Sequence, residues 1–191
     1  MTPTREQAYD LLTAHTQNPN LVKHALCVEA AMRHYADHFG GDKERWAVTG
    51  LIHDFDYEEH PSLEEHPFAG VEILRSLDWP EDIIDAVLGH ADHTGAPRTT
   101  QMAKALYAVD ELTGFIVACA LIRPTKSLPD LPIKSITKKF KDKAFCRAVD
   151  RDHLRAAAAE IDMELRDHVE HVLGALQGIA AELGLEGAPA D

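Results

Sequence analysis

The run LVKHALCVEAAMRHYADHFGGDKERWAVTGLIHDFD, residues 21 to 56, decides how the chain folds. Leu21, Ala25, Val28, Met32, Tyr35 and Phe39 recur at steps of four and three, the spacing that lays one apolar stripe along an α-helix. Gly40-Gly41 ends that helix, and Asp42 can cap the next. The second helix carries Trp46 to Ile52 with only Thr49 polar, so it is apolar on most of its circumference and belongs at the centre of a core. At its end stand His53 and Asp54, two titratable groups at the edge of apolar material, where each needs a partner or a cation.

Working outward, helical spacing recurs while period-2 alternation is almost absent, which predicts an all-α fold. Pro67 and Pro80 suit first helical turns, so helices are expected at about 67–77 and 80–93, the second stopped by Gly95 and Pro97. A long helix is expected over about 100–122, and further C-terminal helices over about 135–146, 151–164 and 166–183. The three prolines between Arg123 and Pro132 predict an ordered loop, and 186–191 a flexible tail. The 191 residues fit one helical domain over 1–185, with its chemistry concentrated in about 20–120.

The net charge of −13 argues against a nucleic-acid polymer as partner, because neutralising phosphates takes a dense basic surface. The charge is uneven. From Arg123 to Arg151 nine Lys or Arg face three Asp, a local balance of +6 that can steer an anionic small molecule, although such a face is as often simply solvated. Cys27, Cys119 and Cys146 form no CxxC pair and read as small buried hydrophobes. The longest apolar run, Phe115 to Ile122, is far below a bilayer span, and no signal pattern opens the chain, so no membrane partner and a cytoplasmic setting are expected.

Five histidines stand where chemistry is plausible: His24 on the border of the first apolar stripe, His53, His66 before Pro67, His90 on the inward face set by Ile83 and Val87, and His93 three residues on. Any one alone reads more simply as a satisfied or surface histidine. The inward stripe of the long helix, Ala103, Leu106, Asp110, Thr113 and Val117, adds a carboxylate to an apolar face. Neighbours on a helix diverge by about 100°, so His53 and Asp54 can share an ion only if other helices complete its shell, and His24 and Asp110 are the candidates. This imidazole and carboxylate set suits Mn, Fe, Co, Ni, Mg or Zn, and spacing does not choose among them.

His24, His53-Asp54 and Asp110, in that order, resemble the H…HD…D pattern of the HD superfamily of metal-dependent phosphohydrolases, and His66-Pro67-Phe68-Ala69-Gly70 resembles the HPxxG element of many members. The wider pattern, with Val109 to Phe115 and Arg123 to Ser127, is similar to a bacterial branch of hydrolases without an assigned substrate. The resemblance implies an all-α fold in which His24, His53, Asp54 and Asp110 hold a divalent ion. By likeness to two-metal members, His66, His90 and His93 hold a second ion bridged by Asp54, with His90-Ala91-Asp92-His93 in place of the common adjacent His-His pair.

The activity so implied is hydrolysis of a small phosphate ester, such as a nucleotide, by water that the cation activates. Asp54, His66, His90 and Glu58 are the catalytic candidates. His66, His90 and His93 either hold the second ion or hold the phosphate and protonate the leaving oxygen, while Glu58, one turn beyond Asp54 if the helix persists, orients water or a histidine unless it is merely solvated beside Glu59. His93, Arg123 and Lys126 are the candidates for binding substrate. The alternative is a catalytically weak regulatory module that binds a metal or nucleotide on the same fold.

Overall fold

A computed structural model describes residues 3–187. Among these residues there are ten α-helices and no strand, as the helical spacing predicts. They form two compact units, one ending at Tyr107 and the other starting at Ala108.

The first unit opens with a helix that the apolar pattern did not reveal, α1 (Arg5–His15). Its start is a capping box: the Thr4 hydroxyl accepts from the Gln7 backbone N–H, and the Gln7 side chain accepts from the Thr4 N–H. Arg5 reaches from α1 to Glu29 in a two-pronged ion pair, at 2.6 and 2.8 Å. Then come α2 (Pro19–Phe39), α3 (Lys43–Ile52), α4 (Phe68–Ser76) and α5 (Glu81–Gly89). Helix α2 ends at Gly40 with φ of 69°, a left-handed conformation that glycine adopts without steric cost, and Asp42 caps α3 through the Arg45 N–H.

Helix α3 is buried along almost its whole length and packs on α1, α2 and α5. Its closeness to α2 depends on Gly50, where a Cβ would lie 2.9 Å from both the Val28 carbonyl oxygen and Met32 Cγ. Alanine is the better helix former by about 1 kcal/mol, but here it would have to displace the backbone of α2. Gly50→Ala is therefore expected to destabilise by about 1–3 kcal/mol, seen as a lower urea midpoint, and an unchanged midpoint would show that α2 gives way freely.

Helix α5 stops at Gly89, short of the expected 93. The reason is competition for its last carbonyls. His90 Nδ1–H donates to Val87 O, the Thr94 hydroxyl to Leu88 O and the Arg98 guanidinium to Gly89 O, so a further helical turn is not needed to satisfy them. His93 falls in a separate 3₁₀ turn (Asp92–Thr94) and does not share an α-helical face with His90.

Helix α6 (Gln101–Leu121) runs as expected and carries the unit boundary within it. The second unit continues with α7 (Ile133–Lys141), α8 (Arg151–Glu160), α9 (Leu165–Gly178) and α10 (Ala180–Leu183). Helices α7 and α8 are shorter than the spacing predicts, and the final helix is broken at Ile179. Of the expected tail, residues 188–191 lie outside the described residues, while Glu186 pairs with Ser127 in an isolated antiparallel bridge. No helix among the described residues is long and apolar enough to cross a membrane.

His168 on α9 is fully buried and donates its Nε2–H to the Ala108 carbonyl at 2.9 Å. Burial lowers its pKa to about 4, outweighing that hydrogen bond. Below the unfolded value near 6.5 the unfolded chain gains a proton that folded His168 refuses, so its contribution is complete above about pH 6.5 and is lost as the pH falls toward 4. The full difference is about 3 kcal/mol. Thermal melts between pH 7.5 and 4.5 are expected to show a shallower acid loss in His168→Gln than in the parent, and parallel curves would remove His168 from the acid response.

Candidate metal centre

The C-terminal end of α3 delivers the first ligand-type atoms. His53 is the capping residue and is fully buried, and its Nδ1–H donates to the Gly50 carbonyl at 2.8 Å. That bond fixes the ring and leaves Nε2, in the neutral tautomer, as a lone-pair donor 3.4 Å from Asp54 Oδ2. His24, projecting from α2, meets the His53 ring edge-on at 5.2 Å and places its Nε2 3.9 Å from the same oxygen. After Ile52 the chain leaves the helix through a series of turns, with Tyr57 N–H on Asp54 O and Glu59 N–H on Asp56 O.

The other oxygen of Asp54 faces two more imidazoles. His90 Nε2 is 3.1 Å from Oδ1, His66 Nε2 is 3.3 Å from it, and the two nitrogens are 3.3 Å apart. Each ring is held from behind: His90 Nδ1–H donates to Val87 O at 2.5 Å, and His66 Nδ1–H to Asp56 Oδ1 at 2.8 Å. Both rings therefore turn their second nitrogens toward a carboxylate oxygen that is itself buried and accepts no well-aligned hydrogen bond. Three lone-pair atoms this close repel unless a positive charge, a proton or a metal cation, lies among them. Imidazoles backed by carbonyl or carboxylate acceptors are the arrangement that orients metal-ligating histidines, so these residues fit a divalent cation.

The same crowding governs the titration of the groups. Burial favours neutral Asp54, but the neighbouring charge of His53 and the imidazoles of His66 and His90 outweigh it and hold the carboxyl well below its usual range. Burial likewise disfavours a charged His66, yet Asp54 and Asp56 together push its pKa up to about 9.

Two groups of ligand atoms emerge, each with its members within 4.8 Å of one another: His24, His53 and Asp54, and Asp54, His66 and His90, while Asp110 lies on α6 in the second unit. Asp54 is common to both. Residues 21–114, about half of the chain and including every member of both groups, match the HD domain family. This region is an HD domain. Among curated proteins, Ribonuclease Y of Lawsonia intracellularis is 28% identical over 103 residues, 53% of this chain and 19% of the relative. Ribonuclease Y from two strains of Nitratidesulfovibrio vulgaris is 29% identical over 96 residues, 50% of this chain and 18% of each relative. The chain thus matches about a fifth of the length of these relatives. No solved structure matched it significantly.

Four other expected site residues stand differently. Glu58 Oε2 accepts the backbone N–H groups of Gln17 and Asn18 at 2.7 and 2.8 Å, strapping the post-α3 turns of the HD domain to the α1–α2 connection. The Thr16 hydroxyl adds a 2.9 Å bond to Phe55 O, so α1 serves to anchor the segment that follows His53-Asp54. His93 is exposed, and its Nε2 bonds the His66 carbonyl at 2.9 Å; it belongs to neither ligand group. Arg123 and Lys126 lie in the second unit and in neither group.

Sequence reasoning missed Asp56. It is 1% exposed and divides its carboxylate between His66 Nδ1–H and the Gly70 N–H, the latter at 2.7 Å. Gly70 must be glycine for this, because a Cβ there would lie 2.8 Å from Asp56 Cγ. The readable signal is the pairing of an aspartate two residues beyond Asp54 with the glycine of His66-Pro67-Phe68-Ala69-Gly70.

Proposed function

We propose that this HD domain hydrolyses a small phosphate ester with two divalent cations sharing Asp54, and the observation that carries the reading is the position of Asp54 in both ligand groups. His24, His53, Asp54 and Asp110 would hold one cation, and Asp54, His66 and His90 the other. When bound, such cations supply Lewis acidity toward phosphoryl oxygens and a nucleophilic water near neutral pH. The chain's own part is positional. Gly50 O, Val87 O and Asp56 fix the three inner imidazoles so that no rotamer search accompanies binding. His93 secures the backbone carbonyl of His66 and so acts on placement rather than on substrate.

A surface beside the second group supports an ester with an apolar or aromatic portion, such as a nucleotide. Tyr57 meets the His66 ring edge-on at 5.3 Å yet remains 40% exposed, and Phe68, near His93, is 39% exposed. Exposed aromatic faces next to a phosphate site offer a stacking platform for a base. Because the relatives are named as ribonucleases, a phosphodiester belongs among the candidates to be assayed.

The test is turnover by the purified full chain with Mn²⁺ on p-nitrophenyl phosphate, bis-p-nitrophenyl phosphate, a nucleotide panel and a short single-stranded RNA. Hydrolysis that stops with EDTA and returns with Mn²⁺ supports the proposal. A chain that binds Mn²⁺ stoichiometrically but turns over none of these would instead favour a regulatory module.

A further inference from the structure

The charge left unused by the HD domain gathers in the second unit. Between the end of α7 and the first turns of α8 lies a cavity of about 570 Å³ lined by Phe140, Lys141, Lys143, Arg147, Arg151 and Arg155, with Asp150 and Asp152 among its other walls. Both carboxylates are engaged: Asp150 caps α8 through the Asp152 N–H, and Asp152 pairs with Arg155 at 2.8 Å. Lys141, Lys143 and Arg147 are exposed and have no carboxylate partner among the described residues.

The wall is built rather than incidental. The Arg151 guanidinium donates to the carbonyls of Asp142, Phe145, Cys146 and Val149, and it packs 5.1 Å from the centre of the Phe115 ring. This grip ends α7 at Lys141 and holds the 142–150 loop, with Cys146 at φ of 44°, in the conformation that presents Lys143 and Arg147. Carbonyls do not neutralise a guanidinium as carboxylates do, so Arg151 keeps its charge, and its Nε–H is buried with no hydrogen-bond partner. Four uncompensated cations, one with a spare buried donor, thus surround a concavity on a chain of net charge −13.

We propose that this cavity is a second binding site, for a small molecule bearing a di- or triphosphate. Its size falls in the range of about 300–1,000 Å³ typical of small-ligand pockets, and a single phosphate would leave two of the cations unmatched. The net acidity of the chain disfavours an extended polyanion, whose flanking phosphates would meet repulsion outside the pocket. No residue of the two metal-ligand groups takes part, and the site does not depend on the hydrolase reading.

The test is calorimetric titration of the EDTA-treated full chain with inorganic tripolyphosphate, and separately with ATP, in buffer of 50 mM and 300 mM salt. One equivalent of either probe is expected to bind at low salt, weaken at high salt through screening, and lose at least about tenfold in affinity in Lys143→Glu/Arg147→Glu. Equal affinity for the two probes places recognition in the phosphates, tighter binding of ATP adds a nucleoside contact, and both outcomes support the site. Absence of binding at millimolar probe, binding unchanged in the double variant, or binding abolished by Asp54→Ala would overturn it. So would a twelve-nucleotide single-stranded RNA that binds more tightly than either probe and depends on Lys143 and Arg147.

Discussion

Asp54→Ala is expected to lower turnover by more than about 10³-fold and to reduce bound cation to less than one equivalent, while the fold survives. Loss of a group that merely orients a metal ligand already costs about 10–100-fold, and Asp54 stands in both ligand groups, so both cations lose a ligand at once. The fold is expected to persist because Asp54 faces histidines rather than packing in the apolar core, and its side chain is 23% exposed. Asp54→Asn separates charge from shape, since an amide fills the same space but is a poor ligand. Metal analysis, kinetics and a melt on the same preparations check all three parts. Undiminished turnover in either variant would take Asp54 out of the mechanism.

Asp56→Ala should produce the second largest effect, and by a different route. Asp56 belongs to neither ligand group, yet its loss leaves two donors without partners, His66 Nδ1–H and the Gly70 N–H, in a site that is almost fully buried. Each buried donor so orphaned costs about 1–3 kcal/mol, so the melting temperature falls clearly even without metal. The His66 ring, no longer held from behind, is expected to bind cation about 10–100-fold more weakly, and His24 and His53 are untouched. One class of cation should therefore weaken while the other stays. Gly70→Ala tests the same device from the opposite side, by pushing the carboxylate away from its two donors. Equal weakening of both cations in Asp56→Ala would show that Asp56 acts through general stability rather than through His66.

What the sequence disclosed, and what it hid, follows from the range of the interactions involved. The α2–α3 pair was legible because its apolar spacing, its Gly40 stop and its Asp42 cap are all local. The four residues His24, His53, Asp54 and Asp110 were legible as a resemblance in order and type, and all four fall within the region that matches the HD domain family. Helix α1 was hidden because its apolar stripe is weak, although Thr4-Arg5-Glu6-Gln7 spells the capping box that starts it. Glu58 and His93 stand off the helical positions expected of them for a common reason: α3 gives way to turns after Ile52 and α5 ends at Gly89. In the second unit, α7 stops where Arg151, ten residues beyond its last turn, takes the loop carbonyls, and no local pattern announces a side chain acting at that distance.

The most direct measurement is a Mn²⁺ titration of the EDTA-treated full chain followed by electron paramagnetic resonance. If one carboxylate joins two ions, up to two equivalents should bind, and the second should give the spin-coupled signal of a bridged pair in place of the six-line spectrum of isolated Mn²⁺. A six-line signal that grows in proportion to added metal from the first equivalent, or saturation at a single uncoupled ion, would contradict a centre built around Asp54.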